Sequence, residues 1–233
     1  MTNEVKSVQE AIPTQVSQVA GAPRRKRPYL AEQRTEQKQA TQARILDSAL
    51  TLFSERGFDS ASVRDIAARA GVTHAMIRLH FGSKAQLWQA AVHHLFNRMA
   101  MEMQPRAGEP PFDAGRAGFE CFIRRYVHYC ARHPEHARLM LQESMRDNEQ
   151  LRFAVEHHIA PSHALMRARL EGAIAQGLMI DLAPINLIYI LSAAGQSIFA
   201  LAEEARALYG IDVFDDAFVE RHADALVRLL LRP

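Results

Sequence analysis

Apolar positions first settle into a helical rhythm at Arg44. Ile45, Ala49, Leu52 and Phe53 fall on one face at spacings of three and four, and Gly57 supplies a C-terminal stop. This predicts an amphipathic helix that starts at Arg44 or several turns earlier, because AEQRTEQKQATQ is polar but holds strong helix formers. After Gly57 the helices shorten and their boundary signals become dense. Ser62 with Asp65 fits a capping box that opens SVRDIAARA, and Gly71 ends that helix where positive φ is needed. Thr73 caps THAMIRLHF, and Ser83 with Gln86 forms a further capping box, opening a long helix through Leu87, Ala91, Leu95 and Met99. Three helix starts between residues 62 and 83 leave room only for short, tightly connected helices. From 105 onward the breakers Pro134, Gly177 with Asp181, Pro184 and Gly210 separate apolar stripes into five helices, over 112–132, 135–146, 151–178, 184–207 and 215–231. No alternating β pattern, internal repeat or heptad series competes, so the chain reads as all-α with about nine helices.

Residues 1–28 follow a different pattern. Rich in Gln, Ser, Val, Ala and Pro and ending in the basic run RRKR at 24–27, they have no apolar stripe and read as a disordered arm. Charge then separates the chain into unequal parts. Residues 24–84 carry twelve Lys or Arg against six Asp or Glu, whereas residues 85–233 carry fifteen against eighteen. A basic first third before a neutral-to-acidic remainder suits contact between the first part and a polyanion. No apolar run approaches the roughly 20 residues of a bilayer span, and the N-terminus lacks the apolar stretch of a signal peptide, so a cytoplasmic location is expected. Cys121 and Cys130, nine residues apart on one helix, would sit about 180° from each other, which argues against an intrachain disulfide.

The short helices have the plan of a helix-turn-helix over 61–81. Ile66, Ala67 and Ala70 give the first helix a small inner face, the turn is AGV with Val72 in the angle, and Ile77 and Phe81 anchor the second helix. Thr73, His74, Met76, Arg78 and His80 are left on the outer face. Such helices insert their N-terminal part into the major groove, so His74 and Ala75, with Arg78 one turn later, are candidates for base edges. Ser62 and Ser83 place hydroxyls and free backbone N–H groups at helix N-termini, Lys84 adds a charge, and Arg64 and Arg44 add further candidate phosphate contacts.

At these residues the sequence resembles the TetR family of bacterial regulators. The resemblance runs from about 44 to 90, through ILDSALTLFSERGFDSASVRDIAARAGVTHAMIRLHFGSKAQLW, and includes IA..AGV and HF.SK.L. It implies a homodimer of all-helical subunits: a DNA-binding domain, here 38–98, and a C-terminal domain, here 105–233, that dimerises through its last two helices and holds a ligand pocket. It also implies binding to double-stranded DNA at a palindromic operator, with an unknown small molecule as effector and no cofactor. Two positions depart from the family pattern. Ala75 stands where Gly is usual and Arg78 where an aromatic, most often Tyr, commonly touches a phosphate. Arg78 either takes over that contact with a charge-assisted bond or reaches a guanine edge. The RRKR arm likewise has two readings, a minor-groove contact or a solubilising tail.

For the ligand pocket, residues that combine apolar bulk with polar tips in the helices where the family forms its cavity are Phe122, Tyr126, Tyr129, Met140, Glu143, His157, Gln196 and Phe199. Two stripes, Leu187, Leu191, Ala194 and Ile198, then Phe218, Leu226, Leu229 and Leu230, suit a four-helix dimer interface. The histidines raise a metal-binding or catalytic alternative. His133 and His136 have helical ligand spacing, but His133 flanks Pro134 and no second pair of that form follows. HExxH, P-loop, GxSxG and GxGxxG patterns are absent, so the expectation is a regulator without catalysis or metal, with a helical interaction or metal-sensing module as the alternative.

Overall fold

The computed structural model describes residues 26–232, so most of the expected N-terminal arm, including Arg24 and Arg25, lies outside the described residues. Two units are defined, Met1–Gln39 and Ala40–Pro233. Among the described residues, the first holds the leading turns of α1 and the second holds everything else.

All regular structure among these residues is helical. Helix α1 (Lys26–Ser60) starts three residues inside the segment read as a disordered tail, and it is broken at Gly57, whose φ of 75° and ψ of 168° stop the helix as expected. Then come α2 (Val63–Ala70), α3 (His74–Phe81) and α4 (Lys84–Glu102). The C-terminal part contains α5 (Gly115–Arg132), α6 (Pro134–Ser144), α7 (Glu149–Ala154), a π-helical stretch Val155–Ile159, α8 (Ala160–Ala175), α9 (Pro184–Ala200), α10 (Ala202–Tyr209) and α11 (Asp216–Leu230).

Two helices read as continuous are interrupted. The 151–178 helix passes through the π stretch just before Pro161, which has no N–H for the carbonyl one turn back and whose ring crowds it; a π turn absorbs both. The 184–207 helix bends by 65° at Leu201 between α9 and α10. There the Arg138 guanidinium from α6 takes the carbonyls of Ala200 at 3.0 Å and Phe199 at 3.5 Å, which a straight helix would give to its own N–H groups. These interruptions turn the expected nine helices into eleven α segments among the described residues.

Two apolar cores result. Ile45, Phe53, Ile66, Ile77, Leu87 and Trp88 centre the N-terminal one, which also takes in Leu139 of α6 and Ala154 of α7. Phe119, Ile123, Val127, Leu191, Phe199 and Leu226 centre the C-terminal one. Helix α4 belongs to both: Leu87 to Leu95 pack in the first, and Met99, with Met103 just after the helix, pack against the second. Any shift of α4 must therefore disturb both cores, since close-packed interiors do not deform continuously.

The stripes read as a dimer face need correction. Leu187, Leu191, Leu226 and Leu230 are buried in the subunit's own core, and Ala194, Ile198 and Phe218 pack against it. Of the two stripes only Leu229 of α11 is exposed, and the large exposed apolar side chains of α9 are instead Ile185, Tyr189 and Ile190. Cys121 and Cys130 are both free thiols on α5. Among the described residues no single helix is long and apolar enough to cross a membrane.

Candidate nucleic-acid interface and the cavity behind it

Helix α2 is held by buried Ile66, Ala67 and Ala70, and it ends at Gly71, whose φ of 65° and ψ of 36° place it in the left-handed region. The Gly71 N–H donates to the Ala68 carbonyl and the Val72 N–H to that of Ala67, and the turn delivers Thr73, whose hydroxyl accepts the Met76 N–H at 3.3 Å and opens α3. Ile77 is the buried anchor of α3. Thr73, His74, Ala75, Met76 and Arg78 are exposed, whereas His80 is half-buried beside the Phe81 ring. Leu79 is 82 % exposed, an unusual position for so large an apolar side chain, and the sequence reading passed over it.

The expected phosphate-binding groups divide. Arg44, Arg64 and Arg78 are exposed and make no ion pair among the described residues. Ser83 forms the expected capping box with Gln86, at 3.1 and 3.0 Å. Ser62 does cap α2, but by accepting the Arg64 N–H at 3.2 Å, and Asp65 does not complete a box. Its carboxylate instead takes a 2.6 Å ion pair with Arg56 at the end of α1. Lys84 also turns inward: its Nζ donates to the Asp59 carbonyl at 3.0 Å and stands 4.8 Å from the Phe58 ring centroid, tying α4 to the end of α1.

Behind this head lies a cavity of about 20 Å³, room for about one water, lined by Met99, Tyr126, Tyr129, Cys130, His133, His136, Ala137 and Gln196. It brings together Tyr126, Tyr129 and Gln196 of the eight expected pocket residues. Phe122 packs in the aromatic core with Phe112 and Phe119, and Phe199 packs on Phe214 and His222. Met140 packs against the N-terminal core, and Glu143 is buried and accepts from Asn148 at 3.1 Å. His157 lies over Phe153 near His93, at the face of α4. The sequence reading missed Met99, Cys130 and Ala137, and it noticed His133 and His136 only as a metal-type pair. Among the described residues no group of three or more His, Cys, Asp or Glu is placed to hold a metal ion.

The cavity is bordered by a charged lattice that joins α4 to α1, α5 and α6. Arg98 Nη2 meets Glu135 at 2.5 Å and Nη1 lies 3.5 Å from Asp47, which also contacts His94 at 3.1 Å. Glu102 at the end of α4 pairs with Arg132 at 2.6 Å and His133 at 2.7 Å, and His133 reaches Glu135 at 3.3 Å. Burial pushes the Glu135 carboxyl up, but the His133 hydrogen bond and Arg98 outweigh it and hold the group below the usual carboxylate range. The Tyr129 hydroxyl and His136 Nδ1 share a 2.7 Å hydrogen bond. Burial pushes both Tyr126 and Tyr129 up and Cys130 to about 12, while it drives His136 down to about 3. The cavity wall formed by these four groups is therefore neutral at pH 7.

The depressed His136 pKa has a stability consequence. Between about pH 6.5 and 3 the unfolded chain binds a proton on this ring that the folded chain does not, so stability falls as pH falls, by at most ~1.4 kcal/mol per pH unit. His158, lowered by burial and by neighbouring His93 and His157, acts in the same direction. Urea unfolding from pH 7 to 5 is expected to show this decline, and His136→Gln is expected to flatten it.

A small head with an exposed second helix, joined by α4 to a larger helical domain, defines a helix-turn-helix protein with a second all-α domain. The family model of bacterial regulatory proteins, tetR family, matches residues 45–91, and that of the YcdC-like protein C-terminal region matches residues 104–233, more than half of the chain. The chain belongs to the TetR family. It is similar to the HTH-type transcriptional repressor Rv3405c of Mycobacterium tuberculosis, 43 % identical over 65 residues, which are 28 % of this chain and 35 % of that protein. The chain thus spans about a third of that relative's length. Similarity to the HTH-type transcriptional regulator RutR of Escherichia coli is broader, 23 % identity over 187 residues, covering 80 % of this chain and 87 % of that one. Among solved structures, AibR in complex with isovaleryl coenzyme A and operator DNA shares the fold with a TM-score of 0.66 at 18 % identity, covering 83 % of this chain and 99 % of that one.

Proposed function

We propose that the chain is a ligand-responsive transcriptional regulator that binds double-stranded DNA as a homodimer, a repressor released from a palindromic operator by a small molecule. The observation that carries this reading is the solvent-facing row Thr73 to Arg78, with Leu79 beside it, on a helix fixed from beneath by Ile77. Support comes also from relatives named as transcriptional repressors and regulators, and from a neighbour of the same fold bound to operator DNA and an acyl-coenzyme A. His74 and Ala75 face base edges, Arg78 makes a charged contact, and Leu79 packs on a thymine methyl group. Arg44, Arg64 and the free N–H groups behind Ser62 and Ser83 meet phosphates.

The effector enters the cavity between α4, α5, α6 and α9. A cavity of about 20 Å³ must open to take it, and the wall that moves most easily is α4, tied to its neighbours by the Arg98 and Glu102 ion pairs. Shifting α4 changes the separation of two heads in a dimer, so both no longer fit successive major grooves. The dimer forms through the exposed apolar residues of α9 and α11. Tyr189→Glu, which buries a charge in that interface, is expected to give a monomer in sedimentation velocity with the helical content unchanged; a dimer of wild-type affinity would move the interface elsewhere.

Gel-shift titration of the intact protein against DNA flanking its own coding region tests the reading. A saturable complex that weakens steeply with salt is expected. No shift with any fragment at low salt would overturn it.

A further inference from the structure

Residues 103–114 run without regular secondary structure from α4 to α5 and lie as a strap on α5. Two side chains pin it. The Glu109 carboxylate accepts from Arg125 Nη2, and the Phe112 ring packs on Phe122 with centroids 5.3 Å apart. Pro110 and Pro111 stiffen the link between them. The strap lies close because Gly118 has no Cβ, which would collide with the Pro111 carbonyl.

Beneath it lie two guanidinium groups, buried Arg125 and half-buried Arg169. Arg125 is only 9 % exposed; its Nη1 donates to the Glu102 carbonyl at 3.2 Å, but its Nε has no hydrogen-bond partner among the described residues. Arg169 stands over the same strap residue, its guanidinium 5.6 Å from the Phe112 ring and 5.7 Å from the Phe122 ring, without an ion pair among the described residues. Arg125 thus meets a single carboxylate, and that carboxylate comes from a partly exposed loop residue and leaves a buried donor unmet. Buried arginines are ordinarily satisfied by bidentate carboxylates, so the orphaned Nε is a cost that the intramolecular arrangement does not remove.

We infer that Glu109 and Phe112 occupy, from within the chain, a site for an external ligand that carries a carboxylate beside an aromatic ring. Such a ligand, a short arylalkanoate, displaces the strap and places its carboxylate across Nε and Nη2 of Arg125. Its ring takes the place of the Phe112 ring against Phe122 and Arg169. The exchange is favourable because it satisfies the donor that Glu109 leaves free. Gly108 and Gly115, both at positive φ, flank the moving segment. Because Arg125 also holds the last carbonyl of α4, the ligand acts on the helix that joins the two cores; this step rests on reading the chain as a ligand-responsive regulator.

Calorimetric titration of the intact protein with phenylacetate, and with 2-phenylethanol as the uncharged counterpart, tests the site. Phenylacetate is expected to bind and 2-phenylethanol is not. Glu109→Gln, which removes the competing carboxylate, is expected to tighten phenylacetate about tenfold by raising the strap-open fraction. Arg169→Gln is expected to weaken it by about tenfold, the worth of one desolvated cation–π contact to the ligand ring. Circular dichroism confirms that each variant is folded. Failure of folded Glu109→Gln protein to bind phenylacetate, equal affinity in it and the wild type, or equal binding of both probes overturns the site. Operator release is measured separately. Phenylacetate binding without release overturns the link to α4 and leaves the site standing, and a protein that never binds DNA overturns the regulator reading alone.

Discussion

Glu135→Ala is expected to destabilise the protein by about 2–3 kcal/mol, because it leaves the Arg98 guanidinium with no carboxylate on α6. Arg98 and Glu135 are both mostly buried, at 2.5 Å, and Arg98 Nε already lacks a partner among the described residues. Asp47, at 3.5 Å and more than half exposed, cannot substitute fully. His133 loses a partner as well, retaining Glu102. For a chain of this length the loss corresponds to a fall in Tm of roughly 5–10 °C. Replacing both members, Arg98→Met with Glu135→Leu, is expected to restore much of it, since removing a buried pair costs less than orphaning one charge. The double variant also separates stability from signalling: it folds, but α4 has lost its tie to α6, so effector and DNA binding are expected to uncouple. Thermal denaturation of the wild type and both variants, followed by operator titration with and without effector, checks both effects.

Arg78→Ala is expected to weaken operator binding about a hundredfold without changing Tm. The side chain is exposed and makes no ion pair among the described residues, so the fold loses nothing. Each charge-assisted contact to DNA is worth about 1.5 kcal/mol, and a dimer presents it twice, giving about 3 kcal/mol. The same variant chooses between the two contacts open to Arg78. A phosphate contact predicts uniform weakening across operator sequences and a salt slope lower by about one per head. A guanine contact predicts relaxed preference at one base position in each half-site, with little change in slope.

The helix-turn-helix was legible because its signals are local. Gly71, Thr73, and Ser83 with Gln86 act within four residues of where they stand, and the inner face of α2 is written in Ile66, Ala67 and Ala70. Distant partners decide what local signals leave open. Asp65 left its capping box for Arg56 on another helix, and Lys84 turned to the Asp59 carbonyl 25 residues away. The bend at Leu201 has no breaker in its own sequence, because Arg138, which takes the Ala200 carbonyl there, lies 62 residues before that carbonyl. The π stretch could have been anticipated from Pro161. On α9, apolar residues occupy both faces, so periodicity alone could not separate core Leu187 and Leu191 from exposed Ile185 and Tyr189. The cavity was partly legible as Tyr126, Tyr129 and Gln196, but the approach of α4 and α6 that adds Met99 and His136 is a property of packing, not of spacing.

Selection of bound fragments from random-sequence DNA by the intact protein tests the central claim most directly. Two heads related by a twofold axis predict enrichment of an inverted repeat whose half-sites are centred about one helical turn apart, or a multiple of it. Failure to enrich any sequence at low salt, or enrichment of a single unrepeated half-site, would contradict it.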